Sequence, residues 1–379
     1  MMIPRFLDTT LGTAIQPGKV LALYGPRRVG KTTLLKQYVA TLDPSRRCLF
    51  TTGEDMSLQQ ALASQSVETI KAFFGGYDLI VIDEAQAVSH LGRGLKLLVD
   101  WLPQAKVIAS GSSSFQIADQ LGEPLTGRKK TLTLYPISAA ELVQHEGRLD
   151  FSGRLNDRLV FGMYPEVVTA GSNAERRELL VELRNDYLFR DVIAFEGIRN
   201  SDKIKKLVAL ISFQPGKEIS LSELAAGIGM SRQVVERYLD LLEKSFVIFR
   251  VGGFSRNLRS EITKSVRYYF YDNGMLNAVQ NNFSAVGLRP DIGALWENWL
   301  VAERVKRNAY ARRAVGSYFW RTYAQQEIDW VEESDGKLEA FEFKWGDKTP
   351  KAPKSWRDAY PDADYTVVNR DNFWDFVLP

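Results

Sequence analysis

Residues 20–33 read VLALYGPRRVGKTT, and this stretch constrains the fold more than any other. A short apolar run ends in Gly25, four positions follow, and Gly30, Lys31 and Thr32 complete the spacing GxxxxGK[ST]. Such a loop works only between the end of a buried strand and the start of a helix. There the two glycines let the main chain curl, so that its N–H groups and the positive end of the helix dipole surround phosphate oxygens. The expected cradle runs from Gly25 through Pro26, Arg27, Arg28, Val29 and Gly30 to Lys31, Thr32 and Thr33. Lys31 is placed to reach the terminal phosphates, and the Thr32 hydroxyl to ligate a magnesium ion.

A second motif supports the first. DLIVIDEAQ, beginning at Asp78, feeds a continuous apolar run into Asp83 and Glu84, as expected of a strand buried on both faces that delivers acids to the sheet edge where phosphates bind. Asp83 suits magnesium held through water. Glu84 suits a general base that polarises the attacking water, a role that a protein which only binds nucleotide does not need. The ligands implied are ATP and Mg2+. The run ASGSSS, from Ala109 to Ser114, follows another apolar strand. Ser112 or Ser113 could sense the γ-phosphate from there, or the serines could cap a helix.

Composition narrows the alternatives. The sequence has 379 residues, more than one core usually supports, so two or three domains are expected. Its one cysteine cannot form an internal disulfide, and two histidines leave no His/Cys zinc cluster, so any metal needs oxygen ligands. No apolar run is long enough to cross a bilayer and no leader stands at Met1, so a cytoplasmic protein without a membrane partner is expected. A net charge of +3 is too small to imply nucleic acid by itself.

Along the chain, VLALYG, CLFTT from Cys48, DLIVID, KVIAS ending at Ser110 and LTLYPI ending at Ile137 read as strands, with helices from near Lys31, Ser57 and Leu91 between them. That alternation predicts an α/β domain with a parallel sheet over 1–139. Residues 140–200 turn helical and read as a lid. Residues 201–286 contain helix, turn and helix followed by FVIFRVGG and VRYYFYD, the order of a winged helix-turn-helix. Ser220 or Ser222 and then Ser231 would cap its helices, Gly227 and Gly229 would make the turn, and Leu224, Val235, Leu239 and Leu242 would face a small core. Arg232, Gln233, Glu236 and Arg237 would be exposed on the second helix. The wing carries Arg250, Arg256, Arg259, Lys264 and Arg267 against Glu261, a balance that favours phosphate contacts. Duplex or branched DNA is the partner this implies; a protein partner is the alternative.

In residues 287–379 a helix from Gly293 carries Glu297 and Glu303, Asp329 lies in EIDWV, and FEFK supplies Glu342 and Lys344. Residues two apart in a strand share a face, so Glu342 and Lys344 point to one site. The order Glu, Asp, ExK resembles the PD-(D/E)xK restriction-endonuclease-like fold. That resemblance implies Glu297, Asp329 and Glu342 around magnesium, with Lys344 as the nuclease lysine, in either a working nuclease or a degenerate relative.

Taken together, IPRFL at the start, GPRRVGKTTLL, LIVIDEAQ, SGSSS, LTGRKKTLTLYPIS, MYPEV, YLFRDV, DNGMLNA and WENWLVAE resemble a prokaryotic AAA-type (AAA+) P-loop ATPase family with such a C-terminal domain. The resemblance implies an α/β fold: a P-loop AAA-type parallel sheet with a helical lid, a winged helix-turn-helix and a C-terminal α/β restriction-endonuclease-like domain. It implies an ATPase that couples nucleotide state to DNA binding or remodelling; the alternative is a switch acting on protein partners. It also implies that Arg128 serves as a transition-state or intersubunit arginine, which across an interface requires a homo-oligomer. Arg190 competes for that role, and Arg5 is expected near the base.

Overall fold

The computed structural model describes residues 3–112, 125–191, 201–255 and 266–379, with the side chains of 189–191 and 201 excepted. These residues form two compact units, one of residues 2–136 and 244–246, the other of residues 137–243 and 247–379.

In the first unit helix α1 (Phe6–Ala14) precedes β1 (Val20–Tyr24), α2 (Lys31–Ala40), β2 (Cys48–Thr52), α3 (Met56–Ala63), α4 (Val67–Phe74), β3 (Leu79–Asp83), α5 (Leu91–Trp101), β4 (Lys106–Gly111) and β5 (Lys129–Thr133). The strands pair in parallel in the order β2-β3-β4-β1-β5. β1 and β3 are buried at every position, which is why their sequences are continuous apolar runs rather than alternating ones. Local chemistry sets the helix starts: the Asp55 carboxylate accepts from the N–H groups of Ser57 and Leu58, and the Ser66 hydroxyl from that of Thr69. The α/β reading of this part therefore stands, with one shift. The last strand ends at Thr133 rather than Ile137, because parallel pairing matches Val20 with Lys129 and Tyr24 with Thr133.

The second unit opens with α6 (Ala139–Gly153), whose first turn is fixed by a capping box of Ser138 and Glu141 and which kinks at Gly147 (φ 85°). Then come α7 (Leu155–Phe161), α8 (Pro165–Thr169), α9 (Asn173–Leu183), a π-helical stretch over Arg184–Asp191, and α10 (Ser201–Ser212). β6 (Glu218–Ile219), α11 (Leu221–Ile228), α12 (Arg232–Lys244), β7 (Ile248–Gly253), β8 (Val266–Phe270), α13 (Asn273–Gln280) and α14 (Ile292–Tyr310) follow. Strands β9 (Gly316–Arg321), β10 (Glu327–Ser334) and β11 (Lys337–Phe343), helix α15 (Lys354–Ala359), β12 (Asp364–Val368) and α16 (Trp374–Val377) complete it.

The strands of this unit run across the expected boundary at 286. β7 and β8, expected as the wing of a separate module, belong to a seven-stranded mixed sheet of order β12-β11-β10-β9-β7-β8-β6. β7 pairs in parallel with β9, through Gly252 with Tyr318 and Gly253 with Phe319. The core on this sheet gathers Phe254, Trp320, Ile328, Val331, Leu338 and Trp356 from both sides of residue 286. Only the first boundary, near 137, separates compact units.

Two of the sequence motifs meet in this unit. Asp272 accepts the N–H groups of Gly274 and Met275 through Oδ1, capping α13, and that of Met163 through Oδ2 at 2.7 Å. Met163 is the first residue of MYPEV and Asp272 of DNGMLNA, so a shared folding joint accounts for both. Gly274 is required there, since a Cβ would stand 2.1 Å from the Phe161 carbonyl oxygen.

Candidate functional site

Because β4 lies between β1 and β3, three strand ends reach one edge of the first sheet at the same level. Leu23 of β1 is opposite Ser110 of β4, and Ile82 of β3 opposite Ala109. The loop after β1 turns there into α2, whose N-cap is Gly30 in the left-handed region (φ 95°, ψ 21°). Gly25 (φ 151°) passes so close to the β5 exit that a Cβ would meet the Leu134 carbonyl oxygen at 2.1 Å. Arg28, at φ 59°, is left-handed without being glycine, a strain of about 1–2 kcal/mol that the surroundings must hold in place.

Lys31 is buried, and its Nζ donates to the carbonyl oxygens of Gly25 (2.9 Å) and Pro26 (2.7 Å), the loop's own backbone. Burial lowers its pKa to about 8, against the upward pull of Glu84 and Asp83. The buried ammonium thus has neutral carbonyl oxygens as its hydrogen-bond partners, and a phosphate would supply the counter-charge. The Thr32 hydroxyl donates to Asp83 Oδ2 at 2.5 Å, while Asp83 Oδ1 accepts from Ser110 Oγ and from the N–H of Glu84 at 3.1 Å. Thr32 and Asp83 are therefore already side by side where magnesium is expected, and one carboxylate with one hydroxyl fits an ion that takes its other ligands from phosphate and water.

Glu84 continues from β3 at φ 48°, a left-handed turn that carries its side chain out of the strand's alternation. Gln86 Nε2 donates to Glu84 Oε2 and lies 3.5 Å from Ser112 Oγ, so Ser112, buried at the end of β4, joins the site through Gln86. Gln86 was not among the expected site residues; its place two residues beyond Glu84 was the available signal. Ser113 lies outside the described residues. Gly53 lets β2 close on this corner: its N–H donates to the Asp83 carbonyl at 2.7 Å, and a Cβ would meet the Glu84 carbonyl oxygen at 2.3 Å.

The three arginines singled out in the sequence occupy different places. Arg128 precedes β5 at the opposite edge of the sheet, where its carbonyl accepts from Val20 N. At the usual rise per strand residue that is about 15 Å from the phosphate loop. Its Nε instead binds Asp100 Oδ1 at 2.6 Å, so within one chain Arg128 does not enter the site. The Arg190 side chain lies outside the described residues. Arg5 is beside the loop, with Nη1 and Nη2 of its guanidinium both donating to backbone carbonyls.

Residues 17–143 match the family model described as an AAA domain. Two further stretches match families described as domains of unknown function, residues 152–286 (DUF8612) and 292–375 (DUF4143). An uncharacterized protein of Mycobacterium tuberculosis is 27% identical over 357 residues, covering 93% of this chain and 76% of its own length. An uncharacterized protein of Haemophilus influenzae is 23% identical over 283 residues, 68% of each chain. Among solved structures, the Pif1 helicase from Candida albicans aligns at 14% identity and a TM-score of 0.29, over 50% of this chain and 55% of that one. Drosophila ORC bound to DNA aligns at 11% and 0.28, over 74% and 94%. Likenesses at such TM-scores carry no functional argument. The AAA-domain match and the loop geometry together support an AAA-type P-loop ATPase.

The C-terminal carboxylates do come together, and an arginine stands among them. The N–H of Phe343 donates to Asp329 Oδ2 at 2.8 Å, Lys344 Nζ binds Glu342 Oε1 at 2.5 Å, and Tyr269 donates to Glu297 Oε1 at 2.8 Å. Among them stands Arg267, only 3% exposed, expected in the sequence as a solvent-facing wing cation. Its nitrogens lie 2.9 Å from Glu327, 3.8 Å from Glu297 and 3.9 Å from Asp329, with Phe319 stacked against the guanidinium. Burial opposes the arginine's charge, but the surrounding acids outweigh it and keep the guanidinium protonated. Burial, and then the neighbouring Asp329, push the Glu297 carboxyl up to about 8. Among the described residues no group of three His, Cys, Asp or Glu side chains is arranged to hold a metal ion. Of the expected trio of Glu297, Asp329 and Glu342, two members thus have the Arg267 guanidinium beside them. Incubation of the protein with Mg2+ or Mn2+ should leave single-stranded, duplex and branched DNA uncut; cleavage that disappears in Lys344→Ala would reverse this reading. Glu303, the other acid of α14, is structural, buried against Lys306 Nζ (2.7 Å) and the N–H of Ala139 (2.6 Å).

Proposed function

We propose that this protein binds ATP with magnesium and hydrolyses it. The observation that carries the reading is the contact between Thr32 and Asp83 beside a buried Lys31, with Glu84 next in the chain. Thr32 and Asp83 would hold the magnesium ion, which when bound offsets phosphate charge. Lys31 exchanges its two carbonyl acceptors for oxygens of the β- and γ-phosphates, and the loop amides take the remainder. Glu84 accepts a proton from the water whose oxygen bonds to the γ-phosphorus, while the bond from that phosphorus to the β–γ bridging oxygen breaks and ADP leaves. Ser112 and Gln86 orient Glu84 and the γ-phosphate. Calorimetric titration with ATP and magnesium, followed by a phosphate-release assay, tests this; no heat of binding would end it.

The same reading extends to DNA through α11 and α12. The two helices are joined by a turn at Gly229 (φ 62°), Ser220 caps the first, and Leu224, Val235, Leu239 and Leu242 are buried as expected. Arg232, Gln233, Glu236 and Arg237 are exposed along α12, with Arg232 bonded to Glu236 at 3.0 Å. Arg250 on β7 is exposed as well; Arg256, Arg259, Glu261 and Lys264 lie outside the described residues. Phosphate binding by these side chains predicts affinity for duplex or branched DNA that falls steeply with salt. The logarithmic slope becomes shallower by about one when a single phosphate-binding cation is removed, as in Arg237→Ala. It also predicts faster ATP turnover with DNA present. A slope near zero and unchanged turnover would favour the other reading, a nucleotide switch that engages a protein partner. Arg128 acting in trans, in a homo-oligomer, belongs to this proposal; size-exclusion chromatography with ATP bound checks it. No helix among the described residues is long and apolar enough to cross a membrane.

A further inference from the structure

Arg5 precedes α1, only 9% exposed, in a part of the chain that supplies none of the phosphate ligands. Its Nη1 donates to the Val29 carbonyl and its Nη2 to the Tyr135 carbonyl, each at 2.7 Å. Val29 stands between two left-handed residues, Arg28 and Gly30, at the crest of the phosphate loop. Tyr135 follows Leu134, the residue whose carbonyl Gly25 approaches so closely. The guanidinium therefore lies under both ends of the loop: one nitrogen on its crest, the other on the strand exit that supports its first glycine. It also reaches within 3.9 Å of where a Cβ on Gly30 would stand.

We propose that Arg5 is a positioning residue of the nucleotide site, holding the phosphate loop open in its binding shape through the fork on Val29 and Tyr135. The inference rests on the ATP-binding reading above. A loop with left-handed backbone at two of three consecutive residues relaxes unless something fixes it, and its amides then no longer converge on one phosphate. Fixing two carbonyls with different positions needs two donors in a rigid planar head, which arginine has and lysine lacks. Asp8 accepts the Arg5 backbone N–H at 2.7 Å and serves the start of α1.

The test compares wild type, Arg5→Ala, Arg5→Lys and Asp8→Ala in the full chain, by calorimetric titration with ATP and magnesium and by thermal unfolding. Arg5→Ala is expected to raise the Kd for ATP roughly tenfold to a hundredfold, with KM rising more than kcat falls. Arg5→Lys recovers only part of the affinity, and millimolar methylguanidinium restores Arg5→Ala further. Asp8→Ala lowers thermal stability but leaves the Kd unchanged, which separates positioning from loss of helix α1. Should Arg5→Ala fail to fold, Arg5→Lys carries the test. Wild type without ATP binding would remove the functional reading itself; wild type that binds, with a folded Arg5 variant of equal Kd, would overturn this inference alone.

Discussion

Glu84→Gln is expected to slow ATP hydrolysis by about a hundredfold to ten-thousandfold while leaving ATP binding intact. The amide keeps the size of the carboxylate and can still meet Gln86, so the loop, Lys31 and the Thr32 to Asp83 contact are undisturbed. What is lost is the acceptor proposed to take the water's proton. Single-turnover phosphate release measures the chemical step, and calorimetry measures binding. Equal turnover in wild type and variant would move the base elsewhere; loss of binding would mean that Glu84 supports the cradle instead.

Arg304→Met is expected to cost about 3–5 kcal/mol of stability in the second unit. Arg304 forks onto Glu332 at 2.8 and 2.6 Å, both side chains are all but inaccessible, and Asn308 and Trp330 also donate to Glu332 Oε1. Methionine fills much of the arginine's volume but leaves a carboxylate in the interior without its counter-charge. At the size of this unit, that loss lowers the melting temperature by roughly 6–20 °C, read by calorimetric scanning. The pH dependence follows in sign. Burial alone would raise Glu332, but Arg304, Asn308 and Trp330 hold it below the ordinary carboxylate range. Its contribution is thus complete above the unfolded value of about 4.3 and is lost as pH falls through the folded value. In Arg304→Met the sign inverts, because the unpaired acid favours its protonated form, and acidification toward pH 4 should narrow the gap between the two proteins.

The arrangement of the candidate nucleotide site was legible because its residues are contiguous in two short motifs whose geometry the backbone dictates. Gly25 to Thr32 must lie between strand and helix, and Asp83 must lie at a strand's end; the parallel order of β3, β4 and β1 then brings them together without help from distant residues. Ser112 was placed on similar grounds. Arg128 lies away from the site within one chain for a reason of the same kind: its motif flanks a strand, but which end of the strand it flanks determines the sheet edge, and Lys129 pairs with the first residue of β1. The C-terminal acids show the limit from another side. Their pattern of Glu, Asp and ExK identified residues that do meet, yet Arg267, well upstream of Glu297 in the chain, also stands among them. No periodicity marks an arginine on an apolar strand as buried, and VRYYF reads equally well with its charge facing water. Arg5 was found by resemblance and expected at the base; that its fork is turned to backbone depends on the paths of two loops, which only the folded chain fixes.

The parallel pairing of β7 with β9 has a practical bearing on how this protein can be dissected. A fragment ending near residue 286 would keep both helices of the helix-turn-helix but strip β7 of its neighbour, leaving a bare row of amides and carbonyls that invites aggregation. The same cut would uncover Phe254, whose ring rests on Tyr318, Trp356 and Tyr360. Binding studies with an excised module would therefore report on a damaged surface, and point substitutions in the intact polypeptide are the sounder probe.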